Sequence, residues 1–124
     1  MAYPDDRKYT KDHEWVRIAG DVAEVGITDF AQQQLGDVVF VELPDVGAQV
    51  TAGQTFGSIE SVKAVSELFA PVTGSVVEVN AGLKDQPEVI NGKPHDTWMI
   101  KVRTSGKDDA ASLLNASQYE GILK

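Results

Sequence analysis

Between Glu14 and Arg103 apolar and polar positions alternate in short runs closed by glycine, proline or asparagine, a pattern that predicts strands rather than a helical bundle. Glu14 to Ile18 sets Trp15 and Arg17 on one face and Val16 and Ile18 on the other. Gly20-Asp21 then turns the chain into a strand over Val22 to Val25. Asp37 to Leu43 is rich in β-branched and aromatic residues and stops at Pro44, which cannot continue a central strand. Gln54 to Glu60, Ser66 to Phe69, Gly74 to Val79 and Thr97 to Arg103 complete a set that predicts an antiparallel sandwich or barrel.

Helical signals are few. Thr28 or Asp29 can cap Phe30 to Leu35, with Gln32 in capping-box position after Asp29 and Gly36 closing the C-terminus. Asp108 and Asp109 suit the first turn of a helix running through Leu113 and Leu114. Ser117-Gln118-Tyr119-Glu120 reads as a capping box opening a last helix, and Lys84 to Ile90 as one further helical turn. An internal repeat also shows. Sliding the chain by 38 residues, from 36 to 74, lays Gly36, Val38, Val39 and Val41 onto Gly74, Val76, Val77 and Val79. Two such units folded together would bury faces that neither buries alone. The segment joining them is then an exposed hairpin.

Composition narrows the chemistry. A chain of 124 residues is expected to form one domain able to bury a core without disulfide or structural metal. It has no cysteine, which excludes side-chain thiol nucleophiles and cysteine-based metal sites. Its net charge of −8, with no basic stripe, argues against nucleic acid. No apolar run approaches the ~18 residues of a membrane span. The first residues carry Asp5 and Asp6 without an apolar stretch, so a cytoplasmic, membrane-free protein is expected. Between Arg17 and Lys84 stand nine acids and a single base, Lys63.

No nucleophile elbow, phosphate loop or dinucleotide fingerprint occurs. His13 and His95 lack the spacing of a helical zinc pair and read as structural imidazoles. The acids form no carboxylate-pair motif and read as a solvated surface. No self-sufficient active site or metal centre is expected. Lys63 is set apart by its surroundings: Glu60-Ser61-Val62-Lys63-Ala64-Val65 is a turn between two strand-like runs, without Gly, Asn or Asp, that flanks a lysine with small apolar residues. Such a lysine suits enzymatic acylation, and a long acyl arm on it would raise the effective concentration of a reactive group at successive active sites.

Glu60-Ser61-Val62-Lys63-Ala64, together with His13-Glu14-Trp15, Gly26-Ile27-Thr28-Asp29 and Leu35 to Pro44, closely resembles the glycine cleavage H-protein family, a likeness that runs from about Tyr9 to Leu123. The resemblance implies a mainly β, lipoyl/biotinyl-type barrel-sandwich of two small antiparallel sheets with short flanking helices. A single domain over 1–124 would hold a lipoyl-binding core at about 22–104 and C-terminal helices at about 106–124. It further implies lipoate in amide linkage on Lys63. The arm takes an aminomethyl group from glycine at a pyridoxal-phosphate decarboxylase (glycine decarboxylase) and presents it to a tetrahydrofolate-dependent aminomethyltransferase, a step of one-carbon metabolism. Its dithiol is reoxidised by dihydrolipoamide dehydrogenase, and lipoylating enzymes and a monomeric state belong to the same picture. Residues matching Glu14 and Glu67 lie near the folded-back arm in the family, where acidic groups suit a cationic adduct.

This chain departs from the family at two places. Gln34 stands where some members have histidine, and the Pro94 to Trp98 loop is one residue shorter, lacking the glycine before the tryptophan. Among alternatives, a biotinyl domain would place methionines beside the lysine, where Val62 and Ala64 stand. Acyltransferase lipoyl domains lack the Tyr9 to Trp15 block, and a relay passing lipoate to 2-oxo acid dehydrogenases would use the same residues.

Overall fold

A computed structural model describes residues 3–104 and 113–123. Among these residues nine strands form two antiparallel sheets: β1 (Lys8–Tyr9), β2 (Glu14–Ala19), β3 (Val22–Ile27), β4 (Val38–Glu42), β5 (Gln49–Val50), β6 (Thr55–Ser61), β7 (Val65–Phe69), β8 (Gly74–Val79) and β9 (Ile100–Thr104). One sheet runs β1-β2-β3-β9-β8-β5 and the other β4-β6-β7. Among the described residues three short helices flank them, α1 (Asp29–Leu35), α2 (Val89–Gly92) and α3 (Ala116–Ile122), with a 3-10 turn over Ala81–Lys84. Among the described residues no helix is long and apolar enough to cross a membrane. The expected mainly β sandwich of two antiparallel sheets is the observed architecture.

Each predicted strand is present with its ends no more than three residues from those expected. The interior between the sheets is aliphatic, with Val16, Val25, Ile59, Val76, Ile100 and Val102 each buried. β2 shows both faces at work: Val16 joins that interior, whereas Trp15 packs outside it with Tyr9, Tyr119 and Ala116, a second cluster that fastens the two ends of the chain. Tyr9 and Tyr119 stack with ring centroids 4.8 Å apart. Ile18, on the Val16 side of its strand, lies near the strand end and is exposed.

The repeat has a structural counterpart. In β4 the pairing passes from Val38↔Ser61 to Phe40↔Glu60, so Val39 is an extra residue. In β8 it passes from Val76↔Val102 to Glu78↔Lys101, so Val77 is the extra residue. These bulges fall at the two positions that the 38-residue shift superposes, and a bulge bends and twists its strand. The repeat therefore extends from side-chain pattern to backbone geometry.

The helical expectations are met in part. Thr28 is the cap of α1, its hydroxyl accepting from the Ala31 N–H, and Gly36 closes the helix at φ 79. The Gln32 amide bonds the Asp29 carboxylate instead of the backbone, so the expected capping box on Asp29 does not form. The last helix begins earlier than Ser117-Gln118-Tyr119-Glu120 implied, because Asn115 and Gln118 make the reciprocal capping box. Of the helix expected from Asp108, residues 105–112 lie outside the described residues. Its end is corrected: Leu114 is bridged to Tyr9 as an extended residue and is not helical. Lys84 to Ile90 divides between the 3-10 turn and the start of α2.

Of the nine acids between Arg17 and Lys84, six lie on or beside the sheets and separate into two groups, whereas Asp29, Asp37 and Asp45 lie outside the strands. On the six-stranded sheet Arg17, Glu24, Lys101 and Glu78 form a cross-strand row of alternating charge, with contacts of 2.5, 3.6 and 3.5 Å, and Arg103 pairs with Asp21. The three-stranded sheet has no such row. Among the described residues Glu42, Glu60 and Glu67 make no ion pair.

Candidate functional site

Lys63 occupies the tip of the β6–β7 hairpin and is exposed, as are Val62 and Ala64. Ser61 supplies what this turn lacks in Gly, Asn or Asp. Its hydroxyl accepts from the Lys63 N–H at 3.2 Å and the Ala64 N–H at 3.1 Å, while its own N–H donates to the Ala64 carbonyl at 2.8 Å. A serine hydroxyl can fix a turn in this way. Ser61 itself is buried, so the turn is tied down from beneath and the lysine stands above it.

The hairpin is also held from the side. The Val62 N–H donates to the Asp37 carbonyl at 3.0 Å. On either side of Asp37 the backbone is clamped by Asn91: its amide donates to the Gly36 carbonyl at 2.8 Å and to Gln32 Oε1 at 3.0 Å, and its oxygen accepts from the Val38 N–H at 2.8 Å. The stem of Lys63 passes over Gly36, close enough that a Cβ there would only touch the lysine Cε, at 3.4 Å; what requires glycine at this position is its φ of 79. The lysine is thereby aimed without any partner for its Nζ: no ion pair to it exists among the described residues. Neither Asn91 nor Ser61 stood out in the sequence. The Ser-x-x-Ala spacing of a hydroxyl turn was the one available signal, and Asn91 offered none.

Glu14 and Glu67 fall in different settings. Glu14 is 2% exposed, accepts from the Thr10 hydroxyl at 2.7 Å and from the Phe69 N–H at 3.2 Å, and burial pushes its carboxyl up to about 8 despite both hydrogen bonds. It lines a cleft of about 280 Å³ with Thr10, Asp12, Gly53, Ala70 and Leu113. Glu67 is exposed and lies opposite Ser58 on the outer face of its sheet. The structure therefore ties Glu14, not Glu67, into the cleft, although Glu67 is two residues from the Phe69 N–H that Glu14 binds. From Val65 to Ala70 the chain advances roughly 17 Å at ~3.3 Å per residue. The cleft is thus out of reach of an unmodified Lys63 side chain.

The two histidines are tied into the fold. His13, at φ 72, places Nδ1 2.8 Å from the Tyr119 hydroxyl, and His95 Nε2 accepts from the Asp29 N–H at 3.1 Å. Burial pushes both below the usual imidazole range. The Pro94 to Trp98 loop is firmly bonded: the Pro94 carbonyl accepts from Trp15 Nε1 at 3.0 Å and the His95 carbonyl from Arg7 at 2.6 Å. Gln34 is exposed on α1.

Two stacked sheets with an unpaired lysine on a hairpin tip define the lipoyl/biotinyl class of barrel-sandwich. The profile of the family described as glycine cleavage H-protein matches residues 7–124, and the chain belongs to that family. It is 55% identical over 124 residues to the glycine cleavage system H protein of Geobacillus kaustophilus, covering 99% of this chain and 98% of that one. With the H protein of Anoxybacillus flavithermus it shares 53% identity at the same coverage. The crystal structure of a glycine cleavage system H protein from Mycobacterium marinum superposes with a TM-score of 0.89 at 44% identity, covering 98% of both chains.

Proposed function

We propose that this chain is the lipoyl carrier of the glycine cleavage system, with lipoate in amide linkage on Lys63. Family membership supports the carrier role. The observation that carries the assignment to Lys63 is its exposed, unpaired amine at the tip of a hairpin whose backbone is fixed by Ser61 and Asp37. The amine is held by no carboxylate among the described residues, and the side chains of Val62 and Ala64 leave it open to an activated carboxyl carbon. Bound lipoate supplies a reducible disulfide at the end of a long arm, so the chain itself needs neither cysteine nor active site.

The protein residues would present and shelter that arm. The hairpin holds its root. Glu14, protonated in its buried setting, would ionise when a cationic group enters the cleft and so hold it by charge; Glu67 would act from the outer rim of β7. The partners in this reading are the pyridoxal-phosphate glycine decarboxylase, the tetrahydrofolate-dependent aminomethyltransferase, dihydrolipoamide dehydrogenase and the lipoylating enzymes, each met by a monomeric carrier.

Intact-mass measurement of protein from its own host tests the reading. A lipoyl-sized increment on the wild type, absent from Lys63→Arg, is expected; a biotinyl increment, or a lipoyl increment that persists in the variant, overturns it. Glycine–bicarbonate exchange with purified decarboxylase should then require the lipoylated form.

A further inference from the structure

Asn91 is the one asparagine of this chain that precedes glycine; Asn80 and Asn115 each precede alanine. Asparagine is a thermolabile residue, most of all before glycine, because with no Cβ in the way the next backbone nitrogen can close on the side-chain amide carbon. Gly92 is exposed, and a Cβ built on it would meet nothing within 4 Å, so the dipeptide faces open space on that side. The helix around it, α2, is a single turn of four residues with no side-chain cap, which offers little backbone structure to oppose an opening at residue 91.

What opposes it is the clamp. The Asn91 oxygen accepts from the Val38 N–H, and its amide donates to the Gly36 carbonyl and Gln32 Oε1. Those three bonds hold Cγ against α1 and the start of β4, and ring closure onto Gly92 must break them. We propose that Asn91-Gly92 is a self-modification site, where deamidation through a cyclic imide is held back by the clamp and, once complete, releases the lysine hairpin. The Gly92 nitrogen bonds to Asn91 Cγ, the Cγ–Nδ2 bond breaks, and Nδ2 leaves as ammonia with the proton from Gly92. Water then opens the imide at either carbonyl, giving aspartate or isoaspartate at position 91 without oxidant or enzyme. Either product undoes the clamp. Aspartate keeps an acceptor for the Val38 N–H but sets a second acceptor against the Gly36 carbonyl and Gln32 Oε1, where the amide donated. Isoaspartate also routes the backbone through the side-chain carbon. The Asp37 carbonyl lies between the two clamped residues and accepts from the Val62 N–H, so the neighbour of Lys63 loses its fixed support. None of this chemistry depends on what Lys63 carries.

The test incubates the full chain in warm, mildly alkaline buffer and follows it by intact mass and peptide mapping. The mass gain of an amide-to-acid change is expected at Asn91 ahead of Asn80 and Asn115. Gly92→Ala, which neither clashes nor occupies a positive φ, should slow it about tenfold. Gln32→Ala removes one bond of the clamp and should speed it about fivefold, as the net loss of one hydrogen bond predicts. In the urea-unfolded chain, where no clamp exists, conversion should be faster than in the folded chain by roughly tenfold or more. Amide exchange at Val62 should be several-fold faster in the converted chain and in Asn91→Asp, and unchanged in Gly92→Ala. Thermal unfolding of each variant checks that the fold is intact. Equal rates at the three asparagines, or no gain at Asn91 in the folded chain over a time in which the unfolded chain converts fully, overturns the site. Equal rates in the folded and unfolded chains, or an unchanged rate in Gln32→Ala, overturns the hold of the clamp. Conversion that leaves exchange at Val62 as in the untreated chain overturns the release of the hairpin.

Discussion

The Asn91 side chain donates to the Gly36 carbonyl at 2.8 Å, so a residue of α2 closes the end of α1 and fixes the loop on which the lysine hairpin leans. Asn91→Ala leaves the Val38 N–H and the Gly36 carbonyl without their partner. A loss of about 1–3 kcal/mol in urea unfolding is expected. The loosening should be local as well, with faster amide exchange at Val62, whose acceptor is Asp37.

Gly26 lies opposite Trp15 in the β2–β3 pair, and a Cβ at this position would stand 2.5 Å from the indole. The indole cannot swing away freely, because its Nε1 is bonded to the Pro94 carbonyl and Arg7 lies 4.5 Å over the ring. Gly26→Ala is expected to cost about 1–3 kcal/mol through overpacking. A shift in tryptophan emission should accompany the fall in melting temperature.

Glu14 gives a pH dependence of definite sign. Its carboxyl, raised from 4.5 to about 8, keeps its proton in the folded chain over a range where the unfolded chain has released it. Unfolding then releases a proton, so this group makes stability fall as pH rises through that window; below it both states are protonated and above it both are ionised. Glu14→Gln should flatten the stability profile between about pH 5 and 8, measured as the difference in melting temperature from wild type. A parallel shift of the whole curve would exclude Glu14 as its source.

Tyr119 is the hydrogen-bonding centre of the chain-end cluster, its hydroxyl 2.7 Å from Thr28 Oγ1 and 2.8 Å from His13 Nδ1. Tyr119→Phe keeps the stack on Tyr9 and removes both bonds. A loss of about 1–2 kcal/mol is expected, with raised amide exchange in α3 and the interior of the sandwich unaffected.

Much of this architecture is legible as alternation. β8 runs over the same residues that the pattern predicted, because Gly74 and the valines after it give a complete local signal. β1 and β5 gave none, since two residues cannot show a period; they exist through partners on β2 and β8. The last helix was misplaced by two residues because Asn115-x-x-Gln118 and Ser117-x-x-Glu120 overlap, and only the packing of Tyr119 selects between them. Lys63 was visible from its neighbours, whereas the clamp that steadies it is built from Asn91, 28 positions further along the chain (91 − 63). The burial of Glu14 was equally hidden, because it depends on an edge of β7 that the sequence brings 55 residues later.

The matched bulges at Val39 and Val77 lie in opposite layers of the sandwich. A bend in one layer alone would open a wedge between the sheets, and small valines could not fill it. With the same kink in both, the layers behave like plies of a laminate pressed to one curvature. Val38, Val41 and Val76, beside the two bulges, all stay buried in the interior between the layers.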